Sequence, residues 1–312
     1  MRLVFAGTPE PAVIALRALL ESDHEILAVV TRPDAPKGRG RTLHPSPVAE
    51  LAEAHGLEIL KPTTLNPESE EGQAFRQRLM ELAPDCVPVV AYGNLLPESL
   101  LSLVPHGFIN LHFSLLPRWR GAAPVQAAIA AGDRVTGATT FRIDSGLDTG
   151  EILGTVTEEI NATDTAADLL DRLAHSGAQL LERTVSGLEN DTIMPEQQTG
   201  EASYAKKITP SDARINWSDA AESIDRHIRA VTPAPGAWTT LNDQRVKLEP
   251  VKTITLDANL EPGEIAINKK TVVVGTGSTT VQLSRIQVPG KKMMDAADWG
   301  RGLGTTEGLR FQ

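Results

Sequence analysis

The chain has 312 residues, enough for two domains with separate cores, and a single cysteine, Cys86, set in an apolar run. One cysteine excludes an internal disulfide, and the lack of a basic region ahead of an apolar core or of any run near ~18 apolar residues argues against secretion and membrane spanning. The expectation is a cytoplasmic protein without membrane contact. The formal net charge of −10 argues against a nucleic-acid partner, but it is uneven. Residues 1–204 carry 15 Lys and Arg against 28 Asp and Glu, a balance of −13, whereas residues 205–312 carry 15 against 12, a balance of +3.

Residues 2–7 read as a buried strand ending at Gly7, and Thr8-Pro9 as the cap and first turn of a helix through Val13, Leu16, Leu19 and Leu20. A second strand follows at 25–30, and strand–helix–strand of this size opens a parallel α/β sheet. The lone Gly7 does not make a dinucleotide fingerprint. The next stretch, 31–44, holds Arg32, Lys37, Arg39 and Arg41 among prolines and glycines, opposed only by Asp34. It reads as a loop, and as the place in an acidic domain where a phosphate backbone would meet cations.

Helices are expected at 47–55 and 68–82, the second with Phe75, Leu79 and Leu82 as its stripe, and strands at 57–60 and 87–91. Beyond a strand at 107–112 come a helix at 124–131, strands at 137–143 and 152–156, and a long amphipathic helix at 164–188. Residues 189–207 lack periodicity and carry Pro195 and Gly200, which reads as a linker. Past it lie a helix at 219–231 with Ser218 as cap, then strands at 237–241, 245–251, 264–268, 271–274 and 280–288. Such a series suggests a small barrel of the oligonucleotide-binding type. The division is thus an α/β, Rossmann-like, mostly parallel sheet domain at 1–188 and a C-terminal β-barrel domain at 208–312.

Asn110 and His112 alternate along the strand Phe-Ile-Asn-Leu-His, which puts both on one face with Ile109 and Leu111 on the other. Burying two polar side chains is costly unless they are paired. Alone, each reads more readily as a satisfied core residue. Asp148 follows in Asp-Ser-Gly-Leu-Asp-Thr-Gly, a loop whose glycines allow close backbone approach. An amide donor, an imidazole and a carboxylate supply an oxyanion stabiliser, a proton carrier and its orienting partner. Asp148 within reach of His112 would fix its tautomer and favour the protonated ring. There is no His-x-x-x-His and no cysteine pair, so no metal site is expected.

The order Asn-x-His-x-Ser-Leu-Leu-Pro, Arg-Gly-Ala-x-Pro, Asp-x-Gly-x-Asp-Thr-Gly resembles the formyltransferases that use 10-formyltetrahydrofolate. Ser114–Gln126 in its long form, the Thr-Arg-Pro-Asp loop at 31–34, Tyr204–Ile208, Ala213–Trp217 and Pro289–Met293 resemble the members whose acceptor is methionyl initiator tRNA. The resemblance implies Asn110, His112 and Asp148 as catalytic residues and 10-formyltetrahydrofolate as co-substrate. It implies that Ser114, Leu115, Leu116 and Pro117 contact the folate, and that the backbone at Tyr92, Gly93, Leu95 and Leu96 and at 142–148 surrounds its pterin, with Leu95 and Leu96 as apolar walls. Lys37, Arg39, Arg41, Lys206 and Lys207 are the expected tRNA contacts, in a monomer. Phe113 and Pro11 depart from the family pattern, which usually has a small residue or proline, and an aromatic, at those places. Two other readings stay open: an enzyme of the same fold with a purine-nucleotide or amino-sugar acceptor, or one that hydrolyses the formyl donor; and an idle RNA-binding protein on the same scaffold.

Overall fold

The protein is described from a computed structural model that covers the 312 residues except 38, 39, 41, 255–259, 269 and 304–307. It divides into two compact units, residues 1–121, 135–159 and 170–204 in one, and 122–134, 160–169 and 205–312 in the other.

The first unit is built on a seven-stranded sheet. Its strands are β1 Arg2–Gly7, β2 Glu25–Val30, β3 Glu58–Leu60, β4 Val87–Val90, β5 Phe108–His112, β6 Val135–Arg142 and β7 Ile152–Glu159. Their order is β7-β6-β5-β4-β1-β2-β3, parallel from β3 through β5, with β6 antiparallel to β5 and β7 antiparallel to β6. The middle strands are continuous apolar runs because helices cover both faces of such a sheet. Leu3, Val4, Phe5, Val29 and Val90 are wholly or almost wholly buried. The chain goes from β1 to β2 on one side and returns to β4 on the other, so β1 and β4 flank the point where strand order reverses. Ligand crevices of open α/β sheets lie at the carboxyl ends of the strands beside such a point.

Ser46 and Ser69 each accept a hydrogen bond from the backbone N–H three residues on, which starts helices Pro47–Ala54 and Glu70–Leu82. The first helix, Glu10–Leu20, has no such side-chain cap. Thr8, expected as its cap, instead donates its hydroxyl to the Tyr92 carbonyl at 2.9 Å and so ties the end of β1 to the loop after β4. The stretch 31–44, expected as a loop, carries a short antiparallel hairpin of Ala35–Lys37 and Thr42–His44.

The second unit holds two four-stranded antiparallel sheets. One is ordered Trp238–Leu241, Gln244–Leu248, Arg285–Gln287, Met294–Asp295, the other Lys252–Ile254, Thr280–Gln282, Val272–Gly275, Ile265–Ile267. The two strands expected at 245–251 and 280–288 each break and pass from one sheet to the other, as at the corners of a small barrel. The corners meet where Ser284 Oγ donates to the Pro250 carbonyl. Trp217, Phe311 and Trp299 stack in the core, with ring centroids 5.5 Å and 6.3 Å apart. The helix Ala221–Ala230 packs on Pro124–Ala131, and its first N–H is met by Ser278 rather than by the expected cap Ser218.

Candidate active site

Asn110 and His112 stand at the carboxyl end of β5, where Asn110 pairs with Val89 and Phe141 and His112 with Thr139. Ile109 and Leu111 fill the core on the opposite face. The side chain of His112 is 6% exposed, and its ring meets Phe141 edge-on at 6.4 Å. Nε2 lies 2.9 Å from the Trp119 carbonyl oxygen, which can only accept, so Nε2 carries the hydrogen. Nδ1 faces Asp148 Oδ2 at 3.7 Å.

Burial pushes the His112 pKa below its ordinary value of 6.5, against the opposing pull of the Asp148 charge and of the Trp119 carbonyl. At neutral pH the ring is therefore neutral, with the Nδ1 lone pair turned toward a carboxylate. One part of the sequence expectation changes: the Trp119 carbonyl, not Asp148, sets the tautomer. Asp148 does favour the protonated ring, as expected, but desolvation outweighs it.

Asp148 has a left-handed backbone with φ 53°, a conformation that costs an ordinary residue ~1–3 kcal/mol and persists only where surroundings impose it. Its Oδ2 accepts the Gly121 N–H at 2.7 Å. The loop curls because the Asp144 carboxylate accepts from the Gly146 N–H and the Thr149 hydroxyl. Gly150 closes it: a Cβ there would stand 1.7 Å from the Arg142 carbonyl oxygen.

The turn after β5 is held from within. Ser114 is fully buried and its Oγ donates to the Arg118 carbonyl at 2.6 Å. Thr139 Oγ1 donates to the Ser114 carbonyl and accepts from Leu116 N–H. Leu116 and Tyr92 are buried, while Leu115 and Pro117 are half-buried. Gly93 is exposed with φ 87°. Leu96 packs on the core, whereas Leu95 is 93% exposed and Leu147, beside Asp148, is 58% exposed. Leu95 sits on the loop that follows the carboxyl end of β4, the edge where open α/β sheets bind their ligands, and Leu147 adjoins the carboxylate that faces His112. Arg32 donates to Asn94 Oδ1 and the Thr63 carbonyl, so this cation braces the loop after β4.

Arg39 and Arg41 lie outside the described residues, as does the side chain of Lys37. Lys206 and Lys207 are exposed, and Lys206 Nζ is 3.0 Å from Asp212 Oδ1. Among the described residues no group of three or more His, Cys, Asp or Glu could hold a metal ion, and no helix is long and apolar enough to cross a membrane.

Three residues around the site were given no role from sequence. Trp119 and Gly121 belong to the Arg-Trp-Arg-Gly motif, and the positive φ of both, 61° and 110°, marks that turn. Gln198, in the aperiodic stretch 189–207, donates from Nε2 to the carbonyls of Asp148 and Gly150 at 2.8 and 2.9 Å, and no periodicity or motif pointed to it. Neighbouring residues follow the same course: Ile152 and Glu196 exchange backbone hydrogen bonds, and Ser203 meets Pro117, Trp119 and Arg120.

The family described as formyl transferase matches residues 1–185, and the formyl transferase C-terminal domain matches residues 207–304. A methionyl-tRNA formyltransferase of Corynebacterium glutamicum is 63% identical over 315 aligned positions, covering all of both chains. One of Mycolicibacterium vanbaalenii is 57% identical, covering 97% of each. Among solved structures, a sugar 3N-formyl transferase superposes with a TM-score of 0.67 at 19% identity, over 94% of this chain and 99% of that one. A methionyl-tRNA formyltransferase from Clostridium thermocellum gives 0.56 at 16% identity, over 81% and 94%. These two share the fold, while the sequence matches carry the kinship: the chain belongs to the formyl transferase family.

Proposed function

We propose that this chain transfers the formyl group of 10-formyltetrahydrofolate to the α-amino group of methionyl initiator tRNA, and so serves the initiation of translation. The observation that carries the reading is the neutral, buried His112 facing Asp148 at the end of the strand that also bears Asn110. Relatives of 63% identity over the whole chain bear the name methionyl-tRNA formyltransferase.

The reaction joins the amine nitrogen to the formyl carbon, passes through a tetrahedral centre, and breaks the bond from that carbon to the folate nitrogen. Asn110 Nδ2 donates to the oxygen that gains charge. His112 takes the proton released by the attacking nitrogen at Nδ1, the nitrogen left unprotonated by its Trp119 contact, and returns it to the leaving nitrogen. The imidazolium formed in between is stabilised by the Asp148 carboxylate across the short gap. The folate lies along Ser114, Leu115, Leu116 and Pro117 and the backbone of Tyr92, Gly93, Leu95 and Leu96, with the bare side chain of Leu95 as an apolar wall. Ser114 and Leu116 act there as buried supports of the turn.

Residues 1–188 carry the chemistry, 189–207 join the parts, and 208–312 hold tRNA, with Lys206 and Lys207 just ahead of them. Lys37, Arg39 and Arg41 reach the acceptor end. The protein works as a cytoplasmic monomer. Incubation with labelled 10-formyltetrahydrofolate and, separately, methionyl-tRNA, a purine-nucleotide amine, an amino sugar or water decides the acceptor. Label on methionyl-tRNA supports the reading; label on any other acceptor, with none on the tRNA, overturns it.

A further inference from the structure

Gln198 uses its whole hydrogen-bonding capacity around the reaction centre. Nε2 donates one hydrogen to the Asp148 carbonyl at 2.8 Å and the other to the Gly150 carbonyl at 2.9 Å. Oε1 accepts from Arg120 Nε at 3.2 Å and Nη2 at 2.6 Å. Two carbonyls on one side and a guanidinium on the other fix which end of the amide is which, since carbonyls only accept and a guanidinium only donates. Only a side-chain amide serves both sides in full, and asparagine is one methylene shorter. A carboxylate accepts from Arg120 but gives nothing to the carbonyls, and an ammonium does the reverse.

The bonds also land where they matter. Asp148 is held in a left-handed backbone, at φ 53°, that only glycine adopts freely. The amide of Gln198 grips the carbonyls on either side of Thr149. Through Arg120 it also grips the residue before Gly121, whose N–H fixes Asp148 Oδ2. Backbone and carboxylate of Asp148 are thus held from one point. The charged group that acts on His112 is Asp148, with the Trp119 carbonyl on the other ring nitrogen.

We propose that Gln198 is a positioning residue for the reaction centre: its amide locks the Asp148 loop to Arg120 and keeps the carboxylate opposite His112 Nδ1. The inference rests on the formyl-transfer reading for its kinetic arm only. Gln198→Met has nearly the same shape and no charge, and removes all four bonds. Gln198→Glu keeps the bond to Arg120 and removes the donors.

Both variants should lower kcat about ten-fold or more, with KM for either substrate changed less than about three-fold, the pattern of a lost transition-state arrangement. In Gln198→Met the carboxylate no longer supports the imidazolium, so the acid limb of the rate profile moves to lower pH. The second arm needs no catalysis: an NMR titration of the His112 ring in parent and Gln198→Met, with folding checked by circular dichroism. A lower titration midpoint in the folded variant supports the proposal, even if the parent transfers no formyl group and the functional reading fails. An unchanged midpoint overturns it, as does a loss of rate that only follows the folded fraction.

Discussion

His112 Nδ1 and Asp148 Oδ2 are 3.7 Å apart, too far for a hydrogen bond and close enough for their charges to act on each other. The ring is neutral because burial outweighs the carboxylate. Burial makes the ring a weaker base than an ordinary imidazole, and the fixed negative charge facing Nδ1 offsets part of that loss. Resting neutral and charging during turnover is what a base in formyl transfer needs.

Loss of His112 is therefore expected to stop the chemistry and spare the fold. His112→Ala should lower turnover on the order of 100-fold or more, the usual scale for general acid–base help. The sign of the pH dependence follows from the direction of the shift. The active form is the unprotonated ring, and its pKa lies below 6.5, so the rate falls as pH drops through a midpoint below that value. An NMR titration of the His112 ring checks this, and a midpoint above 6.5 would contradict it.

Asp148→Asn keeps the shape and the acceptor for Gly121 N–H but removes the charge. The pull that raises the His112 pKa is then gone, so the acid limb should move lower still while the maximal rate falls sharply. Incubating the parent with EDTA should leave its rate unchanged. Inhibition by EDTA that added metal reverses would make Asp148 a ligand instead of a charge partner.

Thr139 is fully buried beside His112 in the sheet and serves both the Ser114 carbonyl and the Leu116 N–H. Thr139→Val has the same shape and leaves both groups unpaired in the interior. A loss of about 1–3 kcal/mol is expected from such an unsatisfied pair, read as a lower midpoint in urea. An unchanged midpoint would mean that the turn satisfies these groups another way.

Much of the first unit was legible in the sequence, because its signals are local. The apolar runs at 2–7, 25–30 and 87–91 fall on strands β1, β2 and β4, and the Asn110–His112 alternation falls on β5. Interactions between distant parts of the chain left no such trace. Thr8 sits where a cap belongs, yet its hydroxyl goes to a carbonyl 84 residues away. Gln198 lies in a polar, aperiodic run, and its partners are backbone carbonyls that any sequence would have. Desolvation of His112 depends on what covers it, so the sequence showed the pull of the carboxylate but not the burial that outweighs it. The two β corners of the second unit were read as continuous strands because Leu283-Ser284 and Glu249-Pro250-Val251 interrupt the apolar alternation only briefly.

Substitutions at Lys207 and at Asp212, the partner of Lys206, should change tRNA binding in opposite directions. Lys207 is exposed, whereas Lys206 is paired with Asp212. The Asp212 carboxyl is held well below its usual range, first by the Thr209 hydroxyl and N–H and then by Lys206, so it stays ionised and competes with any phosphate for the ammonium. If both lysines contact tRNA, Lys207→Ala should weaken binding and make its salt dependence shallower by roughly 0.7–0.9 of a unit of slope for one phosphate contact. Asp212→Asn can still accept from Thr209 through its amide oxygen but frees Lys206. That variant should bind tRNA more tightly, by roughly two- to five-fold since an exposed pair is weak, with a steeper slope. Binding of methionyl-tRNA at several salt concentrations measures both. Equal slopes for the parent and the two variants would mean that neither lysine meets a phosphate and that the basic balance of this unit lies elsewhere on its surface.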